Sequence, residues 1–183
     1  MSNTFFSSDM HYFHKNILNH HPETRKHADI NDMNDAIIDA HNSVVTKHDA
    51  IYMLGDISFG DEAQTDSVLQ RLNGNKILIY GNHDQIIKKK PALRGHFNYC
   101  VDYKEIRINN DKIVMCHFPL RSWNAMKHGT IHLFGHTHGK KTHEWFDIPN
   151  SMDVGIDTRL DGSMLPYELE EIKLLLKEVD YAY

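Results

Sequence analysis

Ile77-Leu78-Ile79-Tyr80-Gly81-Asn82-His83-Asp84 is an apolar run that stops at a glycine and turns at once into amide, imidazole and carboxylate. A short apolar run bounded by a turn signal reads as a buried strand, so its polar residues fall in the loop where the strand ends. The same construction recurs along the chain. Residues 4–6 lead to Asp9-Met10-His11, residues 51–54 to Gly55-Asp56, residues 113–116 to His117, and residues 131–134 to Gly135-His136-Thr137-His138. In an open α/β sheet such strand ends face one crevice. Asp9, Asp56 and Asp84, with Asn82 and the histidines 11, 83, 117, 136 and 138, would then share it. That set of oxygen and imidazole donors is enough to hold two divalent metal ions side by side.

Helix signals fill the gaps. Residues 31–48 place Met33, Ile37, His41, Val44 and Val45 at helical spacing. Asp61 with Gln64 reads as a capping box, and Gly74 stands where a C-terminal glycine belongs. Pro166 fits a first helical position, ahead of Glu168, Glu170 and Glu171, with Lys177 near the end and a stripe of Leu165, Leu169, Ile172, Leu176 and Val179. Residues 99–101, 105–108 and 112–116 read as strands without helices between them, with a turn at Asn109-Asn110-Asp111. Two packed sheets with helices outside, forming one domain over residues 1–183, are expected.

Composition narrows the function classes. A net charge of -5 gives no electrostatic reason to expect long nucleic acid as a partner. The two cysteines, Cys100 and Cys116, make no disulfide or metal pattern and suit a reducing compartment. No apolar run is long enough to span a bilayer, so a cytoplasmic protein without membrane contact is expected. The 15 histidines carry no argument by number. Those outside the strand-end blocks (His20, His21, His27, His41, His48, His96, His128, His132, His143) are expected mainly at the surface, whereas His14 stands close to the first block.

The chemistry follows from residue type. A carboxylate has two oxygens, so Asp56 can bridge two cations, and the missing Cβ of Gly55 lets the chain turn sharply there. Asn82 adds a neutral oxygen that limits negative charge. His14, three residues beyond His11, would stand at the rim of the site. Arg121 and Trp123 follow His117 and offer a phosphate fork and a stacking face. Lys88, Lys89, Lys90 and Arg94 could collect an anionic substrate, although a charge run is more often a solvated face.

In order and in strand context, the blocks Asp-x-His, Gly-Asp, Gly-Asn-His-Asp, lone His and Gly-His-Thr-His resemble the calcineurin-like metallophosphoesterases. The resemblance runs from Asp9 through His138, and residues 153–157 are similar, less specifically, to the tail of the small family members. It implies a four-layer α/β/β/α sandwich of two mixed sheets flanked by helices. It also implies a first metal held by Asp9, His11, Asp56 and His138, and a second held by Asp56, Asn82, His117 and His136. Two divalent transition-metal ions would be the cofactors, manganese foremost, with iron, zinc or nickel served by the same donors. His83 would then donate a proton to the leaving group, its imidazole fixed by Asp84. The implied activity is phosphoesterase: a small phosphodiester or phosphomonoester, such as a nucleotide, hydrolysed by a metal-bridging hydroxide. The alternatives are a catalytically silent metal-binding scaffold on the same fold and a nuclease.

Overall fold

The computed structural model describes residues 2–140, 148–159 and 161–180, the side chains of 178–180 excepted. His143 and the side chain of Val179 lie outside that description. In chain order the strands are β1 (Thr4–Ser7), β2 (Ala50–Met53), β3 (Asn75–Ile79), β4 (Tyr99–Val101), β5 (Tyr103–Ile108), β6 (Asp111–Cys116), β7 (Ile131–Phe134), β8 (Ser151–Asp153) and β9 (Tyr167–Glu168). The helices are α1 (Ile17–His20), α2 (Ile30–Val44), α3 (Glu62–Arg71), α4 (Gln85–Lys89), α5 (Pro91–Arg94) and α6 (Leu169–Asp180).

Two mixed sheets form, ordered β4-β3-β2-β1-β9 and β5-β6-β7-β8. β1 to β4 run parallel, as do β6 to β8, while β9 and β5 are the antiparallel members. Alternation assigns the faces. Phe5, Ile51, Met53 and Leu78 pack with Met33, Ile37 and Ile38 of α2 and Val68 and Leu69 of α3. Their strand neighbours Phe6, Ile77 and Ile79 point the other way and meet Ile113, Met115, Ile131 and Leu133 of the second sheet. Strands covered on both faces read as continuous apolar runs, which is why these segments stood out in the sequence. α6 lies against β9, β1 and β8. The outer face of β7 is covered by the loop after β6, through Trp123 against His132.

The crevice is the seam between two sheets, whereas a single open sheet would have placed it at its own strand ends. The ends of β1 and β2 continue side by side beyond the sheet, Asp9 N donating to Gly55 O and His11 N to Asp56 O, both at 3.0 Å. Ser8 pairs with Gly155 across to the far sheet. Backbones approach so closely that a Cβ on Gly55, whose φ is +91°, would stand 2.4 Å from Gly81 N. One on Gly135 would stand 1.9 Å from Ser8 Oγ.

Local chemistry sets the helix ends with two departures. Asp61 and Gln64 form the expected capping box. α3, however, stops at Arg71 with Leu72 as its cap, so Gly74 serves the turn into β3 rather than the helix end. Pro166 does not open α6. Tyr167 and Glu168 first pair with β1 as β9, because the β1 edge has free backbone groups there, and the helix starts at Leu169.

Three histidines expected at the surface are core residues. His21, His41 and His132 are 5 %, 5 % and 0 % exposed. His41 Nε2 donates to the Asn73 carbonyl at 2.9 Å, and burial pulls its pKa down to about 4. His132 accepts from Leu120 N at 3.0 Å, and burial likewise takes it to about 4. Depressed pKa values mean that the unfolded chain binds the extra protons. Stability should therefore be full above about pH 6.5 and fall as pH drops toward 4. Urea unfolding of the metal-free protein at a series of pH values should show this, and His41→Gln should lower the slope by about one proton, or ~1.4 kcal/mol per pH unit. An unchanged slope would refute the assignment.

Candidate metal centre

The first, second and fourth strand-end blocks deliver buried donors to the seam, and the Gly81 and Gly135 blocks deliver more exposed ones. Asp9, His11, Asp56 and His117 are buried, His138 is half-buried, and Asn82, His83 and His136 are exposed. Asp9, His11, Asp56, His136 and His138 all adopt left-handed backbone, with φ of 59°, 53°, 55°, 69° and 50°. Each such residue costs about 1–3 kcal/mol and persists only where its surroundings impose it. Strain of this kind marks functional sites and is invisible in a sequence.

Of the three groups of ligand-type atoms among the described residues, two are built on strand-end carboxylates, Asp9 with His11 and His138 and Asp56 with His117 and His136, and the other is His21 with His138 and Asp157. In the first, Asp9 Oδ2 accepts the His136 amide at 2.9 Å, which leaves Oδ1 facing His11 Nε2 at 3.8 Å and His138 Nε2 at 3.9 Å. Asp9 Oδ1 and His11 Nε2 are both buried without a hydrogen-bond partner. An unpartnered carboxylate oxygen among imidazole nitrogens is costly unless a cation sits between them, so the donor set fits a metal ion. In the second group, Asp56 Oδ1 accepts the His83 amide at 2.9 Å while Oδ2 lies 3.5 Å from His117 Nε2. Asn82 Oδ1 is 3.0 Å from the same nitrogen. The two groups meet at Asp56 Oδ2, which is also 3.7 Å from His11 Nε2 and 4.0 Å from His83 Nε2.

Hydrogen bonds to protein acceptors fix two of the rings. His117 Nδ1 donates to the Leu54 carbonyl at 2.6 Å and His138 Nδ1 to Asp157 Oδ2 at 2.7 Å. In each ring the lone pair is therefore on Nε2, the atom that faces the carboxylates. Burial disfavours the His138 imidazolium, yet the Asp157 hydrogen bond and the Asp9 charge outweigh it and hold the pKa above its usual value.

Asp84 differs from its expected role. Its two oxygens accept the amides of Asp56, Ile57 and Gly81 at 2.9, 2.9 and 2.7 Å, so it joins the β2 and β3 loops instead of fixing the His83 ring. Burial raises its pKa, opposed by those same amides. Trp123 is not a stacking face either. It is 9 % exposed, its indole N–H donates to the Thr130 carbonyl at 2.8 Å, and its ring lies 5.0 Å from His132. The basic run is taken up at the surface, Lys88 by Asp102 and Lys90 by Glu62, while Arg94 donates to the Lys88 carbonyl. Arg121 is exposed.

His14 is at the rim as expected, its Nδ1 3.2 Å from His11 Nδ1. Burial and the neighbouring His11 and His20 take its pKa down to about 4. Two aromatic residues that the sequence reading passed over stand at the mouth. Phe59 stacks on His14 at 4.0 Å and lies 4.6 Å from His83, and Phe118 lies 4.8 Å from His136. Phe118 follows His117 directly, a positional signal that could have singled it out. Asp157 lies in the 153–157 segment that is similar to the tail of the small family members, and that likeness is the sequence signal it carries.

No protein-family model matches the chain. Gene 66 protein of Mycobacterium phage L5 is 30 % identical over 86 % of this chain and 87 % of its own length. Gene 66 protein of Mycobacterium phage D29 is 27 % identical over 98 % of both. Among solved structures, a protein of unknown function from Aquifex aeolicus shares the fold at a TM-score of 0.74 and 24 % identity, covering 96 % of this chain and all of that one. An archaeal phosphodiesterase aligns at a TM-score of 0.47 and 22 % identity over 87 % of this chain and 88 % of its own.

Because Trp123 is core, Trp123→Ala should cost about 3–5 kcal/mol, the usual range for a buried aromatic truncated to alanine. Urea denaturation measures this, and a loss below about 1 kcal/mol would return Trp123 to the surface.

Proposed function

We propose that this chain is a calcineurin-like metallophosphoesterase, the family its strand-end blocks resemble, and that it uses two divalent metal ions on a small phosphodiester or phosphomonoester. The observation that carries the reading is Asp56 Oδ2, which faces His11 at 3.7 Å and His117 at 3.5 Å, nitrogens of the two separate donor groups. A carboxylate oxygen in that position can be common to two cations.

Asp9, His11, Asp56 and His138 would hold one ion, and Asp56, Asn82, His117 and His136 the other. Bound there, divalent cations supply Lewis acidity toward phosphoryl oxygens and make a coordinated water acidic enough to react near neutral pH. The protein's own contribution is placement. The seam buries Asp9 and Asp56, and their remaining lone pairs are assigned by backbone amides of His136 and His83. His83, whose side chain is 46 % exposed, stands at the mouth next to Asp56, where it can pass a proton to a leaving alkoxide. Phe118, 44 % exposed, takes the stacking role that Trp123 cannot, and Arg121, three residues further along the same loop, is exposed. A nucleotide-type ester suits that pairing of a flat apolar face with a cation. Manganese is the proposed native metal, because oxygen and imidazole donors without thiolate suit it.

Metal loading followed by desalting and elemental analysis should give about two ions per chain, and Asp56→Asn should lose more metal than His11→Ala. A wild-type ratio well below one would remove the two-metal reading. On activity, His83→Ala should keep its metal and slow turnover by ~100- to 10,000-fold for poor alkoxide leaving groups, with little effect on nitrophenyl esters. Equal losses on both would make His83 a phosphate contact. Phe118→Ala should raise KM for aryl or nucleoside esters and leave kcat nearly unchanged.

A further inference from the structure

Arg25 heads the fully buried side chains by volume. A guanidinium leaves water only where its donors are met, and the partners here are telling. Nε donates to Asp157 Oδ1 at 2.9 Å and Nη2 to Asp157 Oδ2 at 2.7 Å, a two-pronged contact between residues far apart in the chain. Nη2 also donates to the Asp9 carbonyl at 2.5 Å and Nη1 to the Met10 carbonyl at 2.8 Å. Asp157 in turn accepts the Thr24 hydroxyl at 2.6 Å and His138 Nδ1 at 2.7 Å. One buried ion pair thus touches both ends of the first donor group: the backbone that presents Asp9 and His11, and the ring of His138.

Both contacts answer a specific need. Asp9 and His11 sit in left-handed backbone that carries a local cost, and the carbonyls Arg25 binds belong to Asp9 and to the residue between the two. His138 can ligate through Nε2 only if its proton stays on Nδ1, and a carboxylate acceptor at Nδ1 enforces that tautomer. Among the described residues, the side-chain hydrogen bonds of Arg25 and Asp157 go to Thr24, Met33, the Asp9–Met10 backbone, His138 and each other.

We propose that Arg25 and Asp157 are a positioning pair for the Asp9–His11–His138 cluster: Arg25 clamps the turn that presents Asp9, and Asp157 keeps His138 in the tautomer that offers Nε2 to a cation. The proposal rests on the metal reading of that cluster, and its test separates the two.

Asp157→Asn conserves volume. With its amide oxygen kept on the Arg25 Nε and Thr24 donors, the NH2 that replaces Oδ2 accepts from neither Arg25 Nη2 nor His138 Nδ1, so the ring loses its Nδ1 acceptor and its proton shifts to Nε2. Nitrogen-15 NMR of the ring, in metal-free protein at alkaline pH, should show Nδ1–H in the wild type and Nε2–H in the variant. Titration calorimetry with Mn(II) alone should show one binding step weakened by ~10- to 100-fold and the other unchanged, since the pair touches one donor group. Arg25→Lys, which keeps the charge and loses the fork, should weaken the same step. Circular dichroism and Tm of the metal-free variants check the fold, and Asp157→Asn carries the test if Arg25→Lys does not fold. An unchanged His138 tautomer, or equal weakening of both steps, overturns the proposal. Wild-type protein that takes up no Mn(II) would instead remove the metal reading, with the NMR result still deciding the tautomer claim.

Discussion

Buried carboxylates are what the rest of this structure is arranged around. Asp9, Asp56, Asp84 and Asp157 lie where water barely reaches, and an unpaired charge there would be prohibitive. The protein answers Asp157 with the Arg25, Thr24 and His138 side chains, and the other three with backbone amides, most of them from other strand ends. Asp9 takes one from the β7 loop, Asp56 one from the β3 loop, and Asp84 three from the loops after β2 and β3. Asp153 does the same with Gly139 and Gly155, and with burial and the Asp9 charge against it its pKa is pushed up to about 6. The loops are thereby joined through the very groups that need them. What remains unsatisfied, Asp9 Oδ1 foremost, is left pointing at imidazole nitrogens.

That arrangement explains why the backbone tolerates strain where it does. Five left-handed site residues at about 1–3 kcal/mol each would be a large fraction of a small domain's net stability if nothing offset them. Hydrogen bonds from Asp9 N to Gly55 O and from His11 N to Asp56 O, together with the Arg25 contacts, hold the chain in those conformations. The glycines act by absence. With no Cβ on Gly55 or Gly135, neighbouring loops can pass at backbone distance, and only then can one carboxylate reach amides of another strand end.

The strands were legible because both faces are buried, which turns them into continuous apolar runs with polar blocks at their ends. β7 was read to the residue, and β1, β2, β3 and β6 to within one or two. The donors of the two clusters were legible for the same reason: each follows a strand directly. β9 was not, since two residues next to a proline carry no strand period, and the capacity to pair comes from the β1 edge. Arg25 and Asp157 were not, because their meaning lies in a contact between distant parts of the chain. Trp123 misled because proximity in sequence to His117 does not specify which way the loop turns. It turns inward, where the Thr130 carbonyl satisfies the indole, and leaves Phe118 outside.

Depth divides the labour of the proposed site. Asp9, His11, Asp56 and His117 are buried, and rings such as His117 are oriented by partners that have nothing to do with a ligand. Asn82, His83, His136 and Phe118 are exposed and stand around the same opening. A buried floor whose lone pairs are already aimed needs little reorganisation when a cation or a phosphoryl group arrives, which is the condition for electrostatic stabilisation to be effective. In the proposed reading the exposed rings of Phe59 and Phe118 at the rim would meet the groups attached to the phosphorus.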